Sequence, residues 1–571
     1  MSKRIISLLA LVAAGALAYT QRRHILARLL RLPPPQYRIT VHRNLRVRMP
    51  DGVHLTADFY APQSAGRFPT ILIRTPYGRG GLNTLVAHLF AERGYNVVSQ
   101  DVRGRFDSEG EWEPYVHEGA DGVATLDWIA QQPWFDGQAA MWGPSYVGFV
   151  QWAAAATGSP HLKALLPMIT QSNLGPVWEH GLRLDRTLRW LLTLDAQANT
   201  SLSRWEKLRR SLRVEEQDRI LAPGFAHLPL ATVDEATLGK SVPFYRTWVE
   251  HFSASDPYWR TADYRDAVPN INLPAHFIGG WYDIFISGTL RDYQVMRENG
   301  RQPYLTIGPW THIDARGQIA GVREGLAWFD AHLKGDRSSL RAKPVRLFVM
   351  GAAQWREFDD WPSAASATRF FLQPQGGLAP AMPPANAAPD TYRYDPADPT
   401  PNIGGPLLSA HAGPRDNRPL EQRHDVLWYS TPLLQQPVEI IGPVLLELWA
   451  QSSLEHTDFF GRLCDVHPDG RVINICDGFF RVQPGRGERQ ADGSLRITIA
   501  FDPTAHRFLT SHRIRLMIAS AAFPHAARNL GTGEPLMTGT RMRIAEQTIF
   551  HDASRPSAVV LPVRTAAFSA G

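Results

Sequence analysis

Cysteine is nearly absent: the 571 residues hold two, Cys464 and Cys476. That excludes a fold built on disulfides. There is no internal repeat, no low-complexity block, no Gly-rich phosphate cradle and no H-E-x-x-H pair, so no cofactor and no metal are expected. Charged residues make up only 20% of the chain, which leaves little room for long disordered tracts. Acid is missing altogether from the first 50 positions, where ten Lys and Arg occur. The remaining chain then carries 50 basic and 54 acidic side chains. The net charge of +6 is therefore a property of the N-terminus, and the slightly acidic body excludes a phosphate-binding surface and a nucleic-acid partner.

The two cysteines flank the turn "HPDG" in what reads as a β-hairpin, and both a cross-strand disulfide and two buried thiols are open. Cys464, His467 and Cys476 lack a fourth ligand at usual zinc spacing, so they are set aside as a metal site.

What is present in quantity is turn-forming and aromatic: Gly 45, Pro 44 and Trp 17. The length predicts two or three domains. Residues 1–36 open with Lys3 and Arg4, an apolar run from Ile5 to Ala14, and the small-x-small pattern Ala16-Leu17-Ala18, the grammar of an export segment. The run is short for a membrane span, yet "TQRRHILARLLRL" continues it as a basic helix up to Pro33. A cleaved signal, giving a periplasmic or secreted protein, and a retained membrane anchor are both open.

From residue 37 the pattern becomes that of a folded body. "YRITVHRNLRVRMPDGVHLTADFYAP" alternates on both sides of Asp51-Gly52, predicting an edge hairpin. "PTILIRTPYG", "NTLVAHLFAERG" and "YNVVSQDVRG" then read as strand, helix and strand of a parallel sheet, and this alternation continues to residue 171. Residues 172–265 turn helical and rich in Trp, Leu and Arg, an inserted cap, before apolar strands resume over 266–342 at "AHFIGGWYD" and "PYLTIGPWTH". From "VRLFVMG" onward, residues 343–571 show short alternating segments divided by turns, the signature of a β sandwich or jelly roll. The fold class is α/β: a doubly wound sheet with an inserted helical cap and a C-terminal β domain.

"MWGPSYVGF" places Ser145 at a strand-to-helix turn, where a nucleophilic serine stands in an α/β hydrolase. The strict G-x-S-x-G pattern is missed by one residue, because Val147 holds the fifth place and the glycine follows at Gly148. A serine hydroxyl is a weak nucleophile without a base, so a histidine and an acid are needed, in the chain order Ser, Asp, His. Asp283 ends the strand of "FIGGWYD" and His312 ends that of "LTIGPWTH". His312 is expected to take the serine proton, and Asp283 to hold the imidazole. The backbone N–H of Tyr146 is an expected oxyanion donor, and for Tyr77, in the loop after "TILIRTPYG", a donating phenol and a ring that merely packs in a Pro-Tyr-Gly turn are both open. "DVRGRFDSEGEW" reads as a structural loop, with Arg103 and Arg105 paired to carboxylates.

These motifs, "RTPYG", "DVRGRFDSEGEW", "GPSYVG", "GWYD" and "GPWTH", with "DFFGRLCDVHPDGRVINICDG" and "HRIRLMIAS" beyond them, resemble the cocaine esterase and Xaa-Pro dipeptidyl-peptidase family of serine hydrolases over residues 37 to 565. The resemblance implies an S-Y-x-G nucleophile motif, which accounts for Gly148. It also implies a jelly-roll C-terminal domain, a catalytic set of Ser145, Asp283 and His312 with Tyr77 and the Tyr146 amide as oxyanion donors, and a pocket where all three parts meet.

The substrate is expected to be a small ester, amide or short peptide. Trp142, Trp178, Trp281 and Trp310 are the candidate walls of an aromatic pocket, which favours an ester with a hydrophobic or aromatic acyl group. After Asp283 the chain continues "IFISG" without the acids that would hold a substrate amine. Cap residues Glu179 and Asp185 keep an Xaa-Pro dipeptidyl-peptidase as the alternative. A catalytically silent cell-surface binder of carbohydrate or protein is the reading from another class.

Overall fold

Strands form along the apolar runs. The computed structural model describes residues 21–564 apart from 176, 179, 180, 199–202, 204, 207–212, 363 and 364, so the core of the export segment lies outside the described residues. β1 (Ile39–Arg48) and β2 (His54–Pro62) pair antiparallel, with Gly52 at φ +89° in the turn between them. β3 (Phe68–Thr75), β4 (Asn96–Asp101), β5 (Phe135–Pro144), β6 (Leu162–Met168), β7 (His276–Tyr282), β8 (Tyr304–Thr311) and β9 (Val345–Val349) form a parallel set, and β10 (Gln354–Phe358) closes it antiparallel to β9. The sheet order is β1-β2-β4-β3-β5-β6-β7-β8-β9-β10.

The central strands are apolar without alternation because both faces are covered. In β3, Leu72 packs into one core, while Ile71 and Ile73 pack into the core on the other face. Between β6 and β7 the chain leaves the sheet for the helices Leu184–Ala198, Val214–Ala226, Val233–Leu238 and Pro243–Glu250.

The first sheet extends further than the boundary at residue 343. "VRLFVMG", expected to open the β domain, pairs in parallel with β8 through Leu305↔Val345 and Ile307↔Leu347. An alternating half-buried strand reads the same whichever sheet it joins, so the sequence pattern alone could not place it.

From Ser366 to Val563 the chain forms a separate, almost wholly antiparallel 15-stranded sheet. Its strands Thr457–Val466 and Val472–Val482 make the cysteine hairpin. A bulge there sets Cys476 opposite Leu463 and Cys464 opposite Asn474, and both thiols are buried and unbridged. Burial pushes the Cys464 thiol up to about 12, which makes it unreactive at neutral pH.

One buried side chain of this domain shapes the site. Arg462, fully buried, makes a two-pronged pair with Asp477 at 2.7 Å for each bond and also donates to Asn417 Oδ1, the Ile403 carbonyl and Asn402 Oδ1. It thereby pins both ends of the segment 402–417, whose middle residues Leu408, Ser409 and Ala410 reach the cavity described below. The charge-assisted bonds offset the cost of burying the guanidinium.

Candidate active site

Pro144 ends β5 and Tyr146 begins the helix Tyr146–Ala155, leaving Ser145 alone between them at φ 56°, ψ −123°. A residue with a Cβ at that φ costs about 1–3 kcal/mol, which neighbouring bonds must offset. Ser145 N–H donates to the Met168 carbonyl at 2.9 Å, and its own carbonyl accepts from Gly148 and Phe149. The strand-to-helix turn is also tight. A Cβ on Gly143 would lie 2.1 Å from Val147 Cγ1, and one on Gly148 would lie 2.5 Å from Thr170 Cγ2. This explains the displaced glycine: the helix presses against Thr170 at position 148, while Val147 fills the space above Gly143. Gly148→Ala should therefore destabilise the fold by about 1–3 kcal/mol through overpacking, read as a lowered denaturation midpoint, whereas Gly80→Ala, in open space and outside the left-handed region, should cost less.

β7 and β8 deliver the partners. Asp283 follows β7, is fully buried, and accepts the Phe285 N–H on Oδ1 at 2.8 Å. His312 follows β8, with Nδ1 2.6 Å from Asp283 Oδ2 and Nε2 3.0 Å from Ser145 Oγ. The Phe285 ring meets the imidazole edge-on at 5.5 Å and walls it in. The three residues expected to act together are thus joined by hydrogen bonds, in the order acid, imidazole, hydroxyl.

Tyr77 lies beside them in the loop after β3. Its phenol oxygen accepts the Trp190 indole N–H at 3.1 Å, and burial pushes its ionisation up to about 12 against the lowering pull of Trp190, Arg105 and Ser145. At neutral pH the phenol keeps its proton and can donate it. Tyr146, as first residue of its helix, has a backbone N–H with no acceptor one turn earlier in that helix. Its side chain is anchored: the phenol donates to Glu118 Oε1 at 2.7 Å and accepts the Tyr115 N–H at 3.0 Å, and Glu118 lies 2.9 Å from the buried Arg74.

Arg103 pairs as expected, with Asp121 and Asp51 at 2.6 and 2.7 Å. Arg105 does not. It donates Nε–H to the Pro76 carbonyl at 2.9 Å and lies over the Trp112 ring at 4.7 Å, so it braces the residue before Tyr77 rather than a carboxylate.

A cavity of about 500 Å³ opens at Ser145. The hydrolase sheet contributes Tyr77, His312 and Phe285 to its wall, the cap contributes Arg186, Trp190 and Trp248, and the β domain adds Leu408. Its aromatic side is one stack: Tyr115 lies 5.1 Å from Tyr146, and Trp190 lies parallel to both Tyr115 and Trp248 at 6.0 and 5.7 Å. Among its described lining residues there is no carboxylate. A second cavity, of about 830 Å³, meets the first at Tyr77, Ser145 and His312 but is polar, with Arg79, Asp58, Asp107 and Asn83 in its wall.

Three of the four tryptophans expected in the pocket are not there. Trp142 is buried under the sheet against Phe90 and donates to the Gly321 carbonyl; Trp281 donates to the Phe348 carbonyl and packs on Trp361; Trp310 packs on Trp355. All three sit in strands, and strand alternation aims their rings into the layers beside the sheet instead of beyond its end. Trp178 lies in the short strand Val177–Trp178, and its side chain is outside the described residues. The rings that do line the cavity, Trp190 and Trp248, come from cap helices. The helical spacing around Trp190 was visible in "RTLRWLLTLDAQ", but nothing local said which face meets the nucleophile, and Trp248 lies further on, in Pro243–Glu250. Asp185 is buried and held by Arg189 at 2.7 Å, so it does not stand free to bind an amine; Glu179 lies outside the described residues.

Comparison with known proteins agrees with this architecture. Residues 51–314 match the X-Pro dipeptidyl-peptidase (S15 family), and residues 340–560 match the X-Pro dipeptidyl-peptidase C-terminal non-catalytic domain. The chain is 35% identical to the cocaine esterase of Rhodococcus sp. (strain MB1 Bresler), over 92% of this chain and 98% of that protein. Two solved structures share the fold at TM-score 0.78, covering 93% of this chain and 97% of theirs: an aminopeptidase from a marine sediment Thaumarchaeota archaeon, 24% identical, and an α-amino acid ester hydrolase, 23% identical. The chain belongs to the cocaine esterase and X-Pro dipeptidyl-peptidase family of serine hydrolases.

Proposed function

We propose that the chain cleaves a carboxylic ester, and more slowly an amide, with a hydrophobic or aromatic acyl group, through an acyl-enzyme on Ser145. The carrying observation is the hydrogen-bonded line Asp283, His312, Ser145 at the mouth of an aromatic cavity that has no carboxylate among its described lining residues. Ser145 Oγ attacks the ester carbonyl carbon while His312 Nε2 takes its proton. The carbonyl oxygen becomes an oxyanion that accepts from the Tyr77 phenol and the Tyr146 N–H. His312 returns the proton to the departing alkoxide, which leaves as an alcohol. Water, deprotonated by the same imidazole, then attacks the Ser145 ester and releases the acid. In this reading the acyl group lies among Trp190, Trp248 and Phe285, and the alcohol part departs through the polar cavity.

A substrate amine would enter a cavity whose charged groups, among the described lining residues, are Arg186 and Arg189 rather than acids, which is why the ester is preferred over an Xaa-Pro peptide. Turnover of p-nitrophenyl benzoate measured beside an Xaa-Pro p-nitroanilide tests this choice. Greater kcat/KM for the ester is expected, and faster release of the nitroanilide overturns it. Labelling of Ser145 by a fluorophosphonate separates a working enzyme from a silent binder. Tyr77→Phe should lower kcat by about 10²–10³-fold with little change in KM, because the lost donor serves the transition state.

The N-terminal sequence supports export, with the body outside the cytoplasm. Residues 21–29 form a helix that leaves Ile25 and Leu29 exposed at 43% and 76%, alongside exposed Arg22 and Arg28, an outer face suited to the surface of an anionic membrane. Fractionation of cells expressing the full chain tests it: activity confined to the cytosol would refute export.

A further inference from the structure

We propose that the β-rich domain carries a divalent-cation site of the zinc class, built from Asp465, His467 and His512 and separate from the hydrolytic centre. Three backbone segments converge there. Asp465 is the penultimate residue of the strand Thr457–Val466, His467 begins the turn that follows, and His512 immediately precedes the antiparallel neighbour Arg513–Ala519, whose Ile514 is the register partner of Asp465. One donor atom from each residue lies within 4.8 Å of the other two.

The local bonds are these. Asp465 Oδ1 lies 2.7 Å from His512 Nδ1, and Oδ2 lies 3.0 Å from His506 Nε2 and 3.9 Å from His467 Nε2. Arg471 Nη2 approaches His467 Nδ1 at 3.4 Å, but its main partner is Asp469 at 2.7 Å. Asp465 and His512 are buried, and the His467 side chain is 27% exposed.

Hydrogen bonding accounts for His506 and His512, whose ring nitrogens reach the buried carboxylate. It accounts only in part for His467, whose Nδ1 is reached by Arg471 Nη2 at a long 3.4 Å while Nε2 has no hydrogen-bond contact of its own among the described residues. That ring sits in an exposed turn where water could satisfy it, yet it lies 4.6 Å from the His512 ring and points Nε2 at the carboxylate over a distance too long for a hydrogen bond. Two imidazoles and a carboxylate gathered around one point, with one side half open, form the donor set of a borderline divalent cation with water in the fourth position. Zinc bonded to nitrogen and oxygen at about 2.0–2.2 Å would set these donors roughly 3.3 Å apart, closing the 3.9 Å gap between Asp465 and His467 and opening the 2.7 Å hydrogen bond between Asp465 and His512, whose proton the ion would displace. His506 would remain outside the coordination sphere as the group that orients Asp465, the usual task of an outer hydrogen-bond partner. The site uses His467 of the cysteine hairpin but neither cysteine. Its ion would fasten the hairpin turn to the start of the strand at Arg513.

The test uses the full chain, freed of metal by chelator and titrated with Zn²⁺ against a chromophoric chelator, with Co²⁺ absorption as a second readout. One equivalent should bind, with a raised midpoint of thermal unfolding. His467→Ala and His512→Ala should each weaken binding at least 100-fold, and His506→Gln about 10-fold, while ester turnover stays unchanged in His467→Ala. If His512→Ala fails to fold, His467→Ala decides alone, since its ring is partly exposed in a turn. The proposal is overturned if the stripped protein takes up no Zn²⁺ at micromolar concentration. It is equally overturned if one equivalent binds with the same affinity in His467→Ala, as it would at His312.

Discussion

Ser145→Ala should lower kcat for an aryl ester by on the order of 10⁶-fold and abolish fluorophosphonate labelling, while the thermal midpoint stays close to that of the parent. The two parts of this expectation have different sources. The hydroxyl lies 3.0 Å from His312 Nε2 and is the nucleophile of the proposed acyl-enzyme, so its loss removes the covalent route altogether. The turn, in contrast, is held by main-chain bonds from Ser145 to Met168, Gly148 and Phe149, and alanine keeps all of them. Residual turnover above water should be small and come from the oxyanion donors and the cavity alone. A variant that keeps more than about a hundredth of parental kcat, after contaminating esterase is excluded, would remove Ser145 from the mechanism.

Asp283→Asn should lower kcat about 10⁴-fold with KM little altered. The carboxylate accepts twice, from the Phe285 N–H and from His312 Nδ1, and it is fully buried. An amide fits the same space, but its NH₂ would face the imidazole or the main-chain donor. Either arrangement disturbs the tautomer in which Nε2 is free to take a proton. Combining Asp283→Asn with Ser145→Ala should cost little beyond Ser145→Ala alone, because the groups act as one unit. Full addition of the two losses in log kcat would show that Asp283 acts elsewhere.

Much of the site was legible because parallel strands announce themselves. Continuous apolar runs such as "PTILIRT" exist only where both faces of a sheet are covered, and the residue after each run falls at the same sheet edge. That logic located Ser145, Asp283 and His312 from spacing, while the role of Tyr77 rested on the family resemblance. It failed for the pocket, since a tryptophan inside a run, like Trp142 or Trp310, belongs to the layers beside the sheet. Trp190 and Trp248 reach the cavity through the docking of a whole helical insert, a tertiary event without a local signal. β9 was assigned to the wrong sheet for a related reason: half-buried alternation records exposure, not partners. The cluster at Asp465 joins residues 465 to 512, and only the register of two strands brings them together.

The bond from the Trp190 indole to the Tyr77 phenol joins the inserted helices to the catalytic edge of the sheet. Detachment of the insert alone would strip away the acyl wall and release the phenol, so catalytic competence would be lost while both β-sheets remained folded. Inactivation on warming would then run ahead of global melting. Stabilising mutations meant to prolong activity belong at the seam between Leu184–Ala198 and its neighbours, not in either sheet.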